Sequence, residues 1–379
     1  LPNPLLGIMA LYLNGKKLEE RSMFRKFTVK GQRMGIDVFA FTPEDVDSEK
    51  KRIYGHFYDT GRKVWLRKWT RFPDVVFDRC RYQPNERFAQ LRKFRDKYPN
   101  LNYMNRPMAN KWAIHQLLSK DSKVDRWLPA TKIYRESADL TQFVKRWDLV
   151  YLKPKNGTGG RGILRIERIS DGLWSIQGRN QARKIIPQQR VSTAGLRNKL
   201  QGWKLKDRYL IQQGIDLKLK SGRVHDYRLL MQKDGTGEWT VTGCAGRVGA
   251  KRSVTSNLHG GGHAISMERL LRLRFRDPAK VESVKKEMYR MGHEIIESLQ
   301  KHFSEMCELA LDIAVDRSGH PWLLEINPKP AREVFYRIGE KETYRKAIER
   351  PLEYALWLHR NHSSNNSSNK PNNNETTED

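Results

Sequence analysis

Residues 309–330, LALDIAVDRSGHPWLLEINPKP, constrain the fold of this chain more than any other stretch. They read as two apolar strands joined by a short polar turn. Aliphatic runs of this kind belong in a buried sheet, yet Asp312, Glu325 and Asn327 interrupt them. Side chains two apart on a strand share a face, so Glu325 and Asn327 point the same way. A four-residue loop over 317–320 pairs Asp316 with Pro321 and, counting back, sets Asp312 opposite Glu325. Two carboxylates and an amide oxygen then share one patch. Hard divalent cations such as Mg²⁺ take such oxygen ligands, usually alongside nucleotide phosphates. The plainer reading is a hairpin with solvated acids on one face. The flanking Leu311, Ile313, Leu324 and Ile326 speak against it.

The second constellation is LVYLKPKNGTGGRGILRIER, residues 149–168. Gly157, Gly159 and Gly162 satisfy GxGxxG, and Gly160 adds a fourth glycine. A dinucleotide-binding loop of that pattern must open a helix. Here Ile163, Leu164 and Ile166 follow in strand-like order, so the loop reads as a glycine hairpin between strands. Without a Cβ, backbone N–H groups there can turn toward phosphate oxygens. Lys153 ends the preceding strand, where an ammonium can reach phosphates as a point charge. A flexible glycine turn beside a surface lysine is the alternative. No GxxxxGK[ST] loop, HRD or DFG motif occurs. HGGG at residues 259–262 resembles an esterase oxyanion loop, but no GxSxG elbow accompanies it. His259 and His263 have the spacing of helical zinc ligands, but the three glycines between them exclude a stable helix.

At 379 residues the chain has room for roughly two or three domains. Its 10 Trp, 14 Tyr and 13 Phe suffice for folded cores. Three distant cysteines without a CxxC pair argue against a disulfide framework or structural zinc and fit a reducing, cytoplasmic compartment. No apolar run approaches the ~18 residues of a membrane span, and the apolar start reads as a buried strand rather than a signal peptide. The formal net charge of +29 implies attraction to polyanions. Nine Arg or Lys against Asp207 fall in residues 179–208, between the glycine loop and the strand YLIQQ, a position expected to border the cleft mouth.

Residues 1–100 suggest a small α/β unit. LLGIMALYL, IDVFAFTP and PDVVFDRC read as strands of a mostly parallel sheet, and ERFAQLRKFRDKYP as a helix. NKWAIHQLLSK and VESVKKEMYRMGHEIIESLQKHF read as helices. YLIQQGIDL, DYRLLMQ and WTVTGCAGRV read as strands. After about residue 360 the polar tail reads as disordered.

Lysine, glycine flap, DxR strand, then Asp with ExN, in that order, resemble the ATP-grasp superfamily. The nearest resemblance is to its YheC/YheD family, described as endospore coat-associated; it runs from near the N-terminus to about residue 358, and RimK-type ligases are more distant. LKPKNGTGGRGI and LLEINPKP carry it most specifically. The resemblance implies an α/β, ATP-grasp fold: a Rossmann-like pre-ATP-grasp domain (1–105), an ATP-grasp domain (106–360) with an antiparallel lid (about 130–210) and a central sheet, and a tail (361–379). Lys111 and Lys153 would bind ATP phosphates. Gly157, Thr158, Gly159, Gly160 and Gly162 belong to the flap. Gln212, Gln213, Gly214 and Ile215 would form the hinge that reads adenine through backbone groups, and Asp216 would take the ribose. Gln212 and Gln213 stand where a hinge acid is common. Asp312, Glu325 and Asn327 would hold two Mg²⁺ ions, with Mn²⁺ as an alternative. Arg228 and Arg247 would stabilise an acyl phosphate and its oxyanion, and Asn257 would join the phosphate or metal shell.

The function implied is an ATP- and Mg²⁺-dependent carboxylate–amine or carboxylate–thiol ligase working through an acyl phosphate. The net charge adds the expectation of an anionic peptide or polymer as substrate, with spore-coat proteins as partners. A coat structural protein that keeps the shape without catalysis is the rival. Specific nucleic-acid binding rests on charge alone and is not expected.

Overall fold

The structure is a computed structural model that describes residues 2–81, 85–106, 108–156, 160–251, 253–256 and 261–368, the backbone alone at 363–368. The first unit comprises β1 (Leu5–Met9), α1 (Arg21–Arg33), β2 (Asp37–Phe41), β3 (Val46–Asp47), β4 (Arg52–Asp59), β5 (Val64–Arg71), β6 (Val75–Asp78), α2 (Glu86–Lys97) and β7 (Tyr103–Met104). The apolar runs at β1, β2 and β6 pair in parallel as their continuous hydrophobicity requires. The β4–β5 hairpin is an antiparallel addition that the sequence reading did not single out. The sheet order is β3-β4-β2-β1-β6-β7, with β5 on β4.

The next segment holds α3 (Lys111–Leu118), β8 (Thr131–Ile133), α4 (Ser137–Arg146), β9 (Leu149–Pro154), β10 (Ile163–Ser170), β11 (Leu173–Arg179), β12 (Ile185–Ser192), α5 (Thr193–Leu200) and β13 (Tyr209–Gln213). Its six strands form an antiparallel sheet in the order β12-β11-β10-β9-β13-β8. Val150, Leu152, Leu164, Ile166, Trp174 and Ile176 bury one face of it against α4 and α5. The alternate residues, Tyr151, Lys153 and Arg165, therefore share the other face.

The third sheet, β16-β15-β14-β17-β18, is antiparallel. It is built from β14 (His225–Lys233), β15 (Trp239–Val248), β16 (His263–Ser266), β17 (Glu308–Val315) and β18 (Pro321–Asn327), with α6 (Met267–Arg274) and α7 (Pro278–Gln300) between β16 and β17. Tyr227, Leu229, Met231, Leu309, Leu311 and Ile313 pack on Val284, Met288, Met291 and Ile295 of α7. Period-two alternation then turns Asp226, Arg228 and Asp312 to the opposite face.

Two helices close the chain, α8 (Glu333–Arg337) and α9 (Lys341–Ser368). Ile348, Leu352 and Ala355 of α9 bury themselves with Phe24 and Phe27 of α1 in the core of the first sheet. The C-terminal helix thus completes the N-terminal unit. It also corrects the expected tail boundary: helical backbone continues to Ser368, and residues 369–379 lie outside the described residues. Leu356, Trp357 and Leu358 are its last residues packed on that core, and Asn361 and His362 are exposed. A chain ending at residue 362 is therefore expected to melt within about 2 °C of the full chain, since changes away from packed features rarely exceed ~0.5 kcal/mol. A substantially earlier calorimetric transition would show the tail to be part of the fold.

Candidate active site

Asp312 pairs directly with Glu325 across β17 and β18. The route differs from the expected one. Val315, not Asp316, pairs with Pro321, and a register shift between Asp312 and Ile313 restores the facing pair. Asp316 is drawn into the turn, where its carboxylate accepts from the Ser318 and His320 amides and the Trp322 indole. Asn327 pairs with Ala310, two residues along, so the three side chains share a face. Asn327 Nδ2 donates to Asp312 Oδ2 at 3.3 Å.

Cross-strand register assembles the surrounding charges. Arg228 lies opposite Asp312, and Arg247 opposite Asp226. Arg228 grips Asp312 through two bonds of 2.9 and 3.0 Å. Arg247 bridges Asp226, at 2.7 Å from Nε, and Asp312, at 3.0 Å. Burial opposes ionisation of Asp312, but Arg228 and Arg247 outweigh it and hold the carboxyl below its ordinary range. Both guanidiniums expected to face an anion are thus engaged by carboxylates. Arg228 engages Asp312 through Nε and Nη2 only.

The cleft lies between this face and that of the six-stranded sheet. Lys111, Lys153, Asp226, Arg247, Asp312 and Glu325 all line it. Asn110 caps α3 by accepting from the amides of Trp112 and Ala113, which fixes Lys111 as the first helical residue. Lys111 Nζ is 3.1 Å from Glu325. Lys153 Nζ donates to Gln212 Oε1 at 2.6 Å, and Gln212 Nε2 donates to Thr131. Burial, then repulsion by Lys111, pushes Lys153 down to about 8 against the pull of Glu325, Asp226 and Asp312. A half-buried ammonium held by a neutral amide retains its affinity for an anion.

Gly160 and Gly162 have φ of +72° and +63°. A Cβ on Gly162 would stand 2.3 Å from Gln181 Nε2 and 2.8 Å from the Tyr209 hydroxyl. Gly162→Ala is expected to lower stability by about 1–2 kcal/mol from the left-handed backbone alone, read as a shift in the urea midpoint. An unchanged midpoint would contradict the geometry. Gly157, Thr158, Gly159 and Asn257 lie outside the described residues.

In the segment expected to read adenine, the Gln213 and Gly214 amides already donate to the Ala130 and Leu149 carbonyls. A Cβ on Gly214 would collide with Leu149. Ile215 is buried and lines the cleft. Asp216 is not among the residues that line the cleft, and its carboxylate is 2.7 Å from Arg317. Besides Ile215, which was expected, sequence reading missed apolar residues that line the cleft: Ile114, Leu128, Leu217 and Leu323. These residues carry no motif, and only their convergence from separate elements distinguishes them.

The donor set fits a hard cation. Two carboxylates and one amide oxygen share a concave face, and Mg²⁺ binds through few carboxylates together with phosphates. Among the described residues no cluster of three or more His, Cys, Asp and Glu side chains offers an all-protein cage. The charges fit a nucleotide: two lysines border an apolar pocket.

A family model for YheC/D-like ATP-grasp proteins matches residues 100–358. The endospore coat-associated protein YheD of Bacillus subtilis (strain 168) is 27% identical over 367 residues, covering 94% of this chain and 79% of the relative. YheC of the same organism, also described as endospore coat-associated, is 25% identical over 344 residues, covering 89% and 91%. Among solved structures, D-cycloserine synthetase DcsG aligns with a TM-score of 0.53 at 11% identity, covering 94% of this chain and 99% of that one.

Proposed function

The chain belongs to the YheC/D-like ATP-grasp family, and from that membership we propose that it is an ATP- and Mg²⁺-dependent carboxylate–amine ligase. The observation that carries this reading is the facing pair Asp312–Glu325 with Asn327, in a cleft that Lys111 and Lys153 also line. ATP is a substrate here. Its base would lie near Ile114, Leu128 and Ile215. Lys111 and Lys153 would hold its phosphates, with Gly160 and Gly162 setting the flap that covers them. Asp216 would contact the ribose, and Asn257 the phosphate or metal shell. Mg²⁺, when bound, neutralises phosphate charge, and Asp312, Glu325 and Asn327 would hold it.

A substrate carboxylate oxygen attacks the γ-phosphorus. The bond from that phosphorus to the β,γ-bridging oxygen breaks, and ADP departs with the electron pair. An amine nitrogen then attacks the acyl carbon of the acyl phosphate, inorganic phosphate leaves, and the nitrogen loses its proton to water. Arg228 and Arg247 would counter the developing negative charge. No protein nucleophile is required, and positioning with charge neutralisation accounts for the rate. The names of the relatives point to spore-coat proteins as partners.

The test is isotopic. Dicarboxylic amino acids and glutamyl peptides labelled with ¹⁸O in their carboxyls are incubated with ATP, Mg²⁺ and an amine. Label is expected in the released phosphate, because one carboxylate oxygen leaves with it. ADP formation that never moves label into phosphate would overturn the reading. Loss of ATP binding altogether would favour the non-catalytic coat protein.

A further inference from the structure

In sequence, two regions are comparably basic. Residues 50–71 carry eight Lys or Arg against Asp59, and residues 179–208 carry nine against Asp207. Tertiary structure separates them. On the β4–β5 ribbon, Arg52, Arg62, Arg67 and Arg71 pair with Asp47, Asp59, Asp45 and Asp74, so much of that charge is spent at short range. In the lid, Arg183, Lys184, Arg190, Arg197, Lys199 and Lys206 form no ion pair among the described residues. All but Arg183 are exposed. Their field is uncompensated and extends over one edge of the sheet.

That edge adjoins the nucleotide cleft. The β11–β12 turn is closed by the Asn180 amide donating to the Lys184 carbonyl and the Arg183 amide donating to Asn180. The Asn180 carbonyl also accepts from the Gly162 amide at 3.1 Å, and Gln181 donates to Tyr209. The cationic turn therefore rests on the base of the glycine loop. From it, β12 runs as the terminal strand of its sheet and leads through the Ser192 cap into α5. Pro187 and a register shift opposite Ile176–Gly178 interrupt β12. Such features prevent a further strand from adding to an edge, so recognition here falls to the side-chain charges.

We propose that the β11–β12 turn, β12 and α5 form a docking track for an extended acidic peptide that delivers its carboxylate to the cleft. The partner supplies the acids that residues 180–200 lack. A peptide fits better than single-stranded nucleic acid, which requires exposed aromatic platforms. Of the exposed large apolar side chains among the described residues, only Ile185 lies in this stretch. The choice of a peptide rests on the ligase reading, whereas binding to the track does not require catalysis.

The experiment measures fluorescence anisotropy of a labelled decaglutamate without ATP, against wild type and two triple variants. Arg183→Glu, Lys184→Glu and Arg190→Glu reverse the track; Lys50→Glu, Lys63→Glu and Lys68→Glu reverse the ribbon by the same charge. The track variant is expected to lose at least about tenfold in affinity at 0.05 M salt and to show a flatter salt dependence. The ribbon variant should change by less than about threefold, because Asp45, Asp47, Asp59 and Asp74 already offset half of the ribbon's positive charge. Unchanged ATP affinity by calorimetry establishes that the track variant is folded. If it is not, Arg197→Glu with Lys199→Glu on α5 replaces it, with the same loss expected. Equal losses in both triples, no decaglutamate binding by wild type, or equal binding of a dT decamer would overturn the proposal. A failed isotope transfer with intact peptide docking would instead remove the ligase reading and leave the track standing.

Discussion

Glu325→Gln is expected to lower turnover roughly 10²–10³-fold, the scale of losing one charge-stabilising group in an active site. Glutamine keeps the volume and one oxygen of the side chain, so the β17–β18 pairing should persist. It removes the carboxylate that faces Asp312. That carboxylate also engages Lys111 at 3.1 Å. Freeing Lys111 leaves its ammonium to nucleotide phosphates, so ADP affinity without metal should hold steady or rise. Metal binding should move the other way. The concentration of free Mn²⁺, read by electron paramagnetic resonance in the presence of ADP, should report at least about a tenfold weaker site. Wild-type Mn²⁺ binding and turnover in the variant would remove Glu325 from the metal shell.

The second large effect belongs to Lys153. One charge-assisted contact contributes roughly 1.5–3 kcal/mol, so Lys153→Ala should weaken ATP binding about 10- to 100-fold. Its pH dependence is distinctive. Burial, then the Lys111 ammonium, lowers this lysine to about 8 from 10.5. A depressed lysine makes its charged form a cost to folding. That cost is fully present below about pH 8 and is relieved as pH rises toward 10.5. Nucleotide affinity follows the opposite course, because only the ammonium attracts phosphate. Wild-type ATP affinity should therefore fall as pH passes about 8, and Lys153→Ala should lack that component. Equal ATP affinities for the two proteins in calorimetry at pH 7 would count decisively against the assignment.

Gln212 orients Lys153. Its amide oxygen holds the ammonium without neutralising it. A carboxylate there would form an ion pair and leave less of the charge for phosphate. Nothing in the sequence around Gln212 signals this contact, which exists only because the two side chains meet between β9 and β13.

Local periodicity determined much of this protein from sequence alone. Alternation along a strand is a geometric consequence of the pleat, so Glu325 and Asn327 had to share a face, as did Asp226 and Arg228. The glycine hairpin after Lys153 was legible because no helix-forming pattern follows it, and β9 and β10 pair as antiparallel neighbours. Even the Asp312–Glu325 pair emerged, although the structure reaches it through a tighter pairing at Pro321 and a compensating bulge. Tertiary structure alone decided which charges meet. Arg228 and Asp312 are 84 residues apart, and their contact depends on β14 and β17 burying Leu229 and Leu311 together on α7. The same holds for α9, whose apolar residues complete a core begun by α1. It holds too for the basic stretches: Arg52, Arg62, Arg67 and Arg71 meet carboxylates on one sheet, whereas Arg183, Arg190 and Arg197 form no ion pair among the described residues. A sequence reports which residues share a face of their own element; what that face meets is set by the burial of the opposite one.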